Sequence, residues 1–153
     1  MTHIKSFVIR QARMSDSQRH HYQQHFPKYE ITYSVEKSIF DYVSPEKAVV
    51  VELGFGMGDS LFELAEANPQ IQYVGIEVHR PGVGKLVRRL EEKQLQNVRI
   101  VEHDAVEVFH TMIPAESLDG VHVFFPDPWP KKRHHKRRLL QQPFLHAVAE
   151  CVR

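Results

Sequence analysis

Short apolar runs alternate with amphipathic segments from residue 48 onward, and this alternation predicts strands and helices in turn. The runs are rich in β-branched and aliphatic residues and have the length of buried strands. They cover residues 48–53, 72–77, 98–101 and 118–125. The segments between them place apolar residues at helical spacing. They cover residues 59–66, 84–93 and 106–112, with a last helix predicted to begin at Pro143.

Regular alternation of strands and helices predicts an α/β fold. Because the strands are almost continuously apolar, we expect a parallel sheet covered by helices on both faces. Ligands of such sheets bind beyond the carboxyl ends of the strands. We therefore expect the functional residues directly after the apolar runs.

The first 47 residues follow no such alternation. Residues 1–30 are polar and basic without sustained periodicity, which predicts a mobile N-terminal arm preceding a single domain over 31–153. A short helix that ends at Ser44 and Pro45 is predicted by the helical spacing of four apolar residues, Val35, Ile39, Phe40 and Val43.

Composition is compatible with a single core, since the chain has 153 residues of which 42% are apolar. The lone Cys151 excludes an internal disulfide and suits a reducing compartment. No segment has the apolar length of a signal peptide or a membrane span, so we expect a cytoplasmic protein. The net charge is +1, but residues 131–138 carry six positive charges, so the remainder carries a net −5. Such a patch on an acidic body steers an anionic partner.

Three alternate glycines follow the first predicted strand, at positions 54, 56 and 58. They allow a sharp turn and close approach of a ligand to the backbone, although a plain strand-to-helix turn has the same pattern. A nicotinamide-binding fingerprint requires glycine or alanine at position 59, where this chain has Asp59. Because a carboxylate there would repel a pyrophosphate, we expect a ligand that is neutral or cationic.

Acidic residues follow the other predicted strands. Glu77 lies 23 residues after Gly54, the usual spacing for an acid that binds ribose hydroxyls. Asp104 is placed either to accept from an exocyclic amine such as that of adenine, or to cap the next helix. Asp127 follows the fourth strand. A pocket for ribose, adenine and positive charge matches S-adenosylmethionine, whose sulfonium and ammonium groups favour carboxylates.

The fourth strand leads into Phe-Pro-Asp-Pro-Trp-Pro at 125–130, followed by the basic run 131–138. A carboxylate and an indole in a proline-stiffened loop suit binding of a flat heterocycle, and the basic run suits a phosphate backbone. Trp129 either stacks on a base or covers the end of the strand. Adjacent histidines at 20–21 and 134–135 lack a third ligand at suitable spacing, so we expect no metal. These residues together predict an enzyme that modifies a base in a nucleic acid.

The sequence resembles the bacterial tRNA (guanine-N7)-methyltransferases. The matching motifs lie at residues 52–58, 75–84, 103–108, 124–131 and 133–138. The resemblance implies a Rossmann-like class I methyltransferase fold that uses S-adenosylmethionine and acts on guanine 46 in the variable loop of tRNA. It implies cofactor contacts at Glu52, Gly54, Gly56, Glu77, Asp104 and Asp127. It also implies catalysis by Asp127, substrate binding by Lys131, and RNA binding by Arg133, His134, His135, Lys136, Arg137 and Arg138.

The resemblance further implies seven strands, of which four are countable before the chain stops at Arg153. We therefore expect the N-terminal portion of one methyltransferase domain, monomeric, with an unpaired edge on the fourth strand. Two alternatives stay open. One is a non-catalytic RNA-binding remnant of such an enzyme. The other is a methyltransferase acting on an exocyclic amine of a nucleobase, because Asp127-Pro128-Trp129 is similar to the Asp-Pro-Pro-Tyr signature of those enzymes.

Overall fold

Four parallel strands form one sheet in the computed structural model, which describes residues 14–123 and 142–153. The strands are β1 (Ala48–Leu53), β2 (Ile71–Glu77), β3 (Val98–Glu102) and β4 (Gly120–Val123). The helices are α1 (Asp16–Tyr29), α2 (Asp59–Ala67), α3 (Arg80–Lys93), α4 (Ala105–Met112) and α5 (Gln142–Cys151). Each predicted strand and helix from residue 48 onward is confirmed within the described ranges, with small shifts of its ends.

The strand order is β3-β2-β1-β4, so β1 lies inside the sheet. β2 and β3 lie on one side of β1, and β4, which follows β3 in the chain, pairs with the other side of β1. Leu53 at the end of β1 pairs with Ile76 of β2 and Val123 of β4. The carboxyl end of β1 is therefore the topological switch point, where open α/β sheets form their ligand crevice.

Apolar side chains cover both faces of the sheet, as the alternation predicts. Val51 and Leu53 belong to a core shared with α4 and α5, whereas Tyr73 and Ile100 belong to a second core shared with α1, α2 and α3. Fully buried strand residues rigidify the sheet and fix the positions at which its loops begin. Within the described ranges, none of the helices is both long enough and apolar enough to cross a membrane.

The prediction of a mobile arm over residues 1–30 is wrong for residues 16–29, which form α1. Ser15 and Gln18 make a reciprocal capping box at its start. Tyr22, Phe26 and Tyr29 are buried against α3 and β3, at spacings of four and three residues. The helix was missed because only these three aromatic residues, among many polar ones, form its buried stripe. Residues 1–13 lie outside the described ranges.

Two other predicted helices differ in length from those in the structure. The helix expected around residues 35–43 is only a 3-10 turn, Ile39–Asp41, and Val35 is exposed rather than part of an apolar face. α3 begins at Arg80 instead of residue 84, with Pro81 in its first turn, where its missing N–H costs nothing.

As expected, β4 pairs only with β1 among the described residues.

Candidate functional site

The glycine loop, residues 54–58, turns the chain from β1 into α2. Gly54, Gly56 and Gly58 have φ values of 64°, 64° and 85°, a region that residues with a side chain rarely adopt. The Gly54 N–H donates to the carbonyl of Ile76 at 2.8 Å, which fixes the loop to the end of β2. The loop therefore presents backbone rather than side chains at the switch point, as the sequence predicts.

Glu77, the last residue of β2, is tied to this loop. Its Oε1 accepts from the N–H of Gly56 at 2.7 Å, and its Oε2 accepts from the N–H groups of Val78 and His79 at 2.9 and 3.0 Å. The carboxylate is thus held at one position beside the loop, although it is largely buried. A carboxylate has about four acceptor positions, so three backbone donors leave about one for a ligand.

Glu52 lies on β1, two residues before Gly54, and is only 2% exposed. Its Oε2 has no hydrogen-bond partner among the described residues. The nearest basic group there is His122 on β4, whose Nδ1 is 4.0 Å from Oε1. Burial raises the pKa of the Glu52 carboxyl from 4.5 to about 7. A buried carboxyl with an unused oxygen is costly for the fold, so its presence at the switch point suits a ligand that donates to it.

Asp104 follows β3 and caps α4. It is 2% exposed, and one carboxylate oxygen accepts from the N–H of Glu107 at 3.2 Å. This is the capping role that the sequence offered as one of two possibilities. Its role in binding adenine stays a prediction.

The sequence predicts that the Asp59 carboxylate faces the ligand at the glycine loop, but in the structure it pairs with α3. Its Oδ1 accepts from Arg89 at 2.7 Å and lies 3.8 Å from the Lys85 ammonium, both on α3. These cations compensate the charge of Asp59 and hold it against α3. The residue at position 59 therefore gives no argument about the charge of a ligand at the glycine loop.

A family model described as a putative methyltransferase matches residues 46–153. The tRNA (guanine-N(7)-)-methyltransferase of Dechloromonas aromatica is 48% identical over 99% of this chain, and that of Nitrosospira multiformis is 49% identical over 98%. The protein of the same name from Legionella pneumophila is 48% identical over 98% of this chain. The chain belongs to the tRNA (guanine-N7)-methyltransferase family. It spans 62%, 66% and 68% of the length of these three relatives.

Solved structures that resemble this family member agree on the fold. An antibiotic-related methyltransferase superposes with a TM-score of 0.59 at 19% identity, covering 84% of this chain and 63% of that one. The 16S rRNA methyltransferase KamB superposes with a TM-score of 0.54 at 19% identity, covering 97% of this chain and 59% of that one. The described residues therefore have the Rossmann-like architecture of class I methyltransferases.

Glu52, Gly54, Gly56 and Glu77 of this family member meet at the end of β1, as the sequence predicts. Asp104 lies at the end of β3, separated from β1 by β2. The remaining predicted residues lie outside the described ranges. They are Asp127, Trp129, Lys131, Arg133, His134, His135, Lys136, Arg137 and Arg138.

Sequence reasoning missed Gly82, in the first turn of α3. A Cβ at this position would lie 2.0 Å from the carbonyl oxygen of Gly56, so α3 packs directly on the glycine loop. The signal available was a Pro-Gly pair shortly after the second strand, where helices begin. Any side chain at position 82 would displace the loop.

An aromatic pair beside Asp104 was also missed. The rings of Tyr33 and His103 stack with centroids 3.8 Å apart, and His103 Nε2 contacts Glu107 Oε1 at 2.5 Å. The Tyr33 hydroxyl is 2.9 Å from Thr111 Oγ1. His103 and Glu107 are four residues apart, a spacing visible in the sequence. Tyr33 gave no signal because it lies in an irregular segment.

Proposed function

We propose that this chain is the cofactor-binding part of an enzyme that transfers a methyl group from S-adenosylmethionine to N7 of guanine 46 in tRNA. Relatives 48–49% identical over almost all of the chain bear the name tRNA (guanine-N(7)-)-methyltransferase. The observation within the molecule that carries the proposal is Glu52, buried at the switch point with Oε2 unpaired among the described residues. A tRNA substrate also favours a cytoplasmic location.

The residues at the end of β1 fit S-adenosylmethionine. The glycine loop offers backbone at positive φ, with α3 packed against it at Gly82. In the proposed arrangement Glu52 accepts from the ligand's ammonium, and Glu77 accepts from a ribose hydroxyl with its remaining acceptor position. Asp104 accepts from the adenine amine while it continues to cap α4.

Charge supports a cationic ligand at Glu52. In the ligand-free chain burial keeps much of this carboxyl protonated near neutral pH, with its pKa at about 7. A bound ammonium group favours the ionised form and lowers that pKa, so ligand binding and proton release are coupled. An anionic ligand at the same place would raise the pKa further and bind less well as the pH rises.

S-adenosylmethionine supplies a methyl group that is activated by a sulfonium. Guanine N7 already carries a free lone pair, so the protein has no proton to remove before transfer. Its task is to hold N7 in line with the methyl group, and positioning of this kind supplies roughly 7–11 kcal/mol. We propose that Asp127 accepts from the guanine edge and stabilises the positive charge that develops on the purine. Lys131 would hold the substrate, and residues 133–138 would bind the RNA backbone.

The test is methyl transfer to a tRNA transcript, followed by nuclease digestion and mass spectrometry of the nucleosides. The proposal expects N7-methylguanosine from a transcript with guanine at position 46 and none from a transcript with adenine there. It also expects no product from Asp127→Ala. A methyl group on an exocyclic amine, or an equal yield from the two transcripts, would contradict the assignment.

A further inference from the structure

A cleft of about 500 Å³ lies between the first halves of α1 and α3. Met14, directly before α1, lies next to Gly84 of α3, and Lys28 and Tyr29 at the end of α1 bond to Glu91 near the end of α3. Met57 of the glycine loop forms part of the cleft wall and is 40% exposed. The cleft therefore opens at the same edge of the sheet as the proposed cofactor site, next to the glycine loop.

The cleft is cationic and polar on one side. Lys85 and Arg88 of α3 face it together with His21 and Ser17 of α1, and none of its described lining residues is acidic. Both cations are only weakly compensated. Lys85 is 3.8 Å from Asp59, which already bonds to Arg89, and Arg88 forms an exposed pair at 3.4 Å with Glu92. Exposed pairs of this kind contribute little to stability, so an anionic ligand competes with them easily.

His21 also faces the cleft. Burial is the largest cause that lowers the pKa of His21. The neighbouring His25 and Arg88 lower it further, whereas Glu91 and Glu92 raise it. The His21 ring can stack on a ligand or donate to it. With Met57 and Pro81 as apolar wall, the cleft combines flat apolar surface with two cations at its rim. A nucleotide has the matching combination of an apolar base face and an anionic phosphate.

Two occupants fit the location: a nucleic acid, or residues 1–13 of this chain, which directly precede Met14 at the cleft. Residues 1–13 contain Lys5, Arg10 and Arg13 and no acidic residue, so they carry the same sign of charge as the cleft. Like charges disfavour this segment as the occupant. The charge of a polyanion such as a nucleic acid is complementary to that of the cleft and to that of residues 1–13.

We propose that this cleft binds the sugar-phosphate backbone of the tRNA substrate, as a contact surface additional to the basic run 131–138. The inference rests on the proposed function, because it takes tRNA as the partner. Lys85 and Arg88 contact phosphates, which adds affinity without adding sequence preference. The cleft lies beside the glycine loop, so RNA bound there is anchored close to the methyl donor.

The test compares tRNA binding by two double variants of the 153-residue chain with equal loss of charge. Lys85→Gln with Arg88→Gln removes the cleft cations. Lys47→Gln with Lys93→Gln is the matched control, because both lysines are exposed and lie away from the cleft. Binding of a labelled tRNA transcript is measured by fluorescence anisotropy between 50 and about 300 mM salt. S-adenosylmethionine affinity and urea unfolding are measured in parallel.

Each phosphate contact contributes roughly 0.7 to the salt slope for single-stranded RNA. Losing two contacts therefore reduces the slope by about 1.4 and weakens binding about tenfold near 0.15 M salt. The control variant should keep at least half the affinity of the original chain, and neither variant should change S-adenosylmethionine affinity.

Equal tRNA affinity of the two double variants would overturn the inference while leaving the proposed function intact. Higher stability of the cleft variant with unchanged tRNA affinity would also overturn it, and would favour residues 1–13 as the occupant, because the removed cations repel their positive charges. If the original chain binds S-adenosylmethionine but no tRNA, both the inference and the tRNA assignment fail. A loss of tRNA affinity confined to the cleft variant supports the inference.

Discussion

Replacing Glu52 by glutamine tests whether this carboxyl is held in the fold at the expense of stability. The substitution keeps the shape of the side chain and removes its titration. In the unfolded chain the pKa is 4.5, and burial raises it to about 7 in the folded chain. A carboxyl with a raised pKa binds a proton on folding, so it lowers stability progressively as the pH rises from about 4.5 to about 7. Above pH 7 the Glu52 carboxyl is ionised in both the folded and the unfolded chain, and the full loss of stability remains.

The magnitude follows from the two pKa values. For a single group, the cost grows by roughly 2–3 kcal/mol between pH 5 and pH 8. Glutamine carries no such cost. The free energy of unfolding of Glu52→Gln, minus that of the original chain, should therefore increase by roughly 2–3 kcal/mol over this range. The comparison across pH cancels the constant cost of burying an amide in place of a neutral carboxyl.

The assay is urea unfolding followed by circular dichroism at pH 5, 6, 7 and 8. Glu46→Gln is the control, because Glu46 is an exposed acid before β1, and its curve should run parallel to that of the original chain. A difference between Glu52→Gln and the original chain that stays constant from pH 5 to pH 8 would refute the reasoning. It would mean that Glu52 is ionised and well solvated in the folded chain.

Three further predictions concern Glu52, Gly82 and α1. At pH 7, binding of S-adenosylmethionine should release about half a proton from Glu52. The release is measured as a binding enthalpy that depends on the ionisation enthalpy of the buffer. An equal dependence on the buffer in Glu52→Gln would contradict Glu52 as the source of the proton. Gly82→Ala should destabilise the chain by about 1–3 kcal/mol in urea unfolding, because its Cβ would strike the glycine loop. Gly120→Ala meets nothing closer than 3.6 Å and should cost less, and equal losses would argue against the close packing. Ser15→Ala should cost about 1 kcal/mol and reduce hydrogen-exchange protection in α1, whereas a freely mobile segment would show neither change.

The sheet and most helices were predictable because their signals are local. A run such as residues 48–53 is too apolar to lie outside a core, and the glycines after it indicate a turn. The sequence therefore predicts that Glu52, Gly54 and Glu77 lie at one edge of a sheet. Their meeting at the end of β1 depends only on the strands being parallel and neighbouring.

The features that escaped prediction depend on contacts distant in sequence. α1 is held by Tyr22, whose hydroxyl bonds to Glu102, and by Tyr29, whose hydroxyl bonds to Glu91. Those partners lie 80 and 62 residues away, and no local pattern reveals them. Asp59 was assigned to the wrong surroundings for the same reason, because its partner Arg89 lies on another helix.

The unpaired state of Glu52 could not be predicted either. An acid inside an apolar strand is visible in the sequence, but its partner, or the lack of one, is set by the neighbouring strands. The cleft between α1 and α3 escaped likewise, since it required α1 to be recognised as a helix. Sequence therefore located the proposed cofactor site, whereas the structure was needed for its electrostatics and for the adjoining surface.

The most direct test of this account is calorimetric titration of the 153-residue chain with S-adenosylmethionine, beside Glu52→Gln and Glu46→Gln. The account predicts saturable binding with one ligand per chain, weakened at least tenfold in Glu52→Gln and unchanged in Glu46→Gln. Binding that is equally strong in all three would show that Glu52 does not hold the ligand's ammonium. Absence of binding by the folded original chain would contradict the cofactor site at the end of β1.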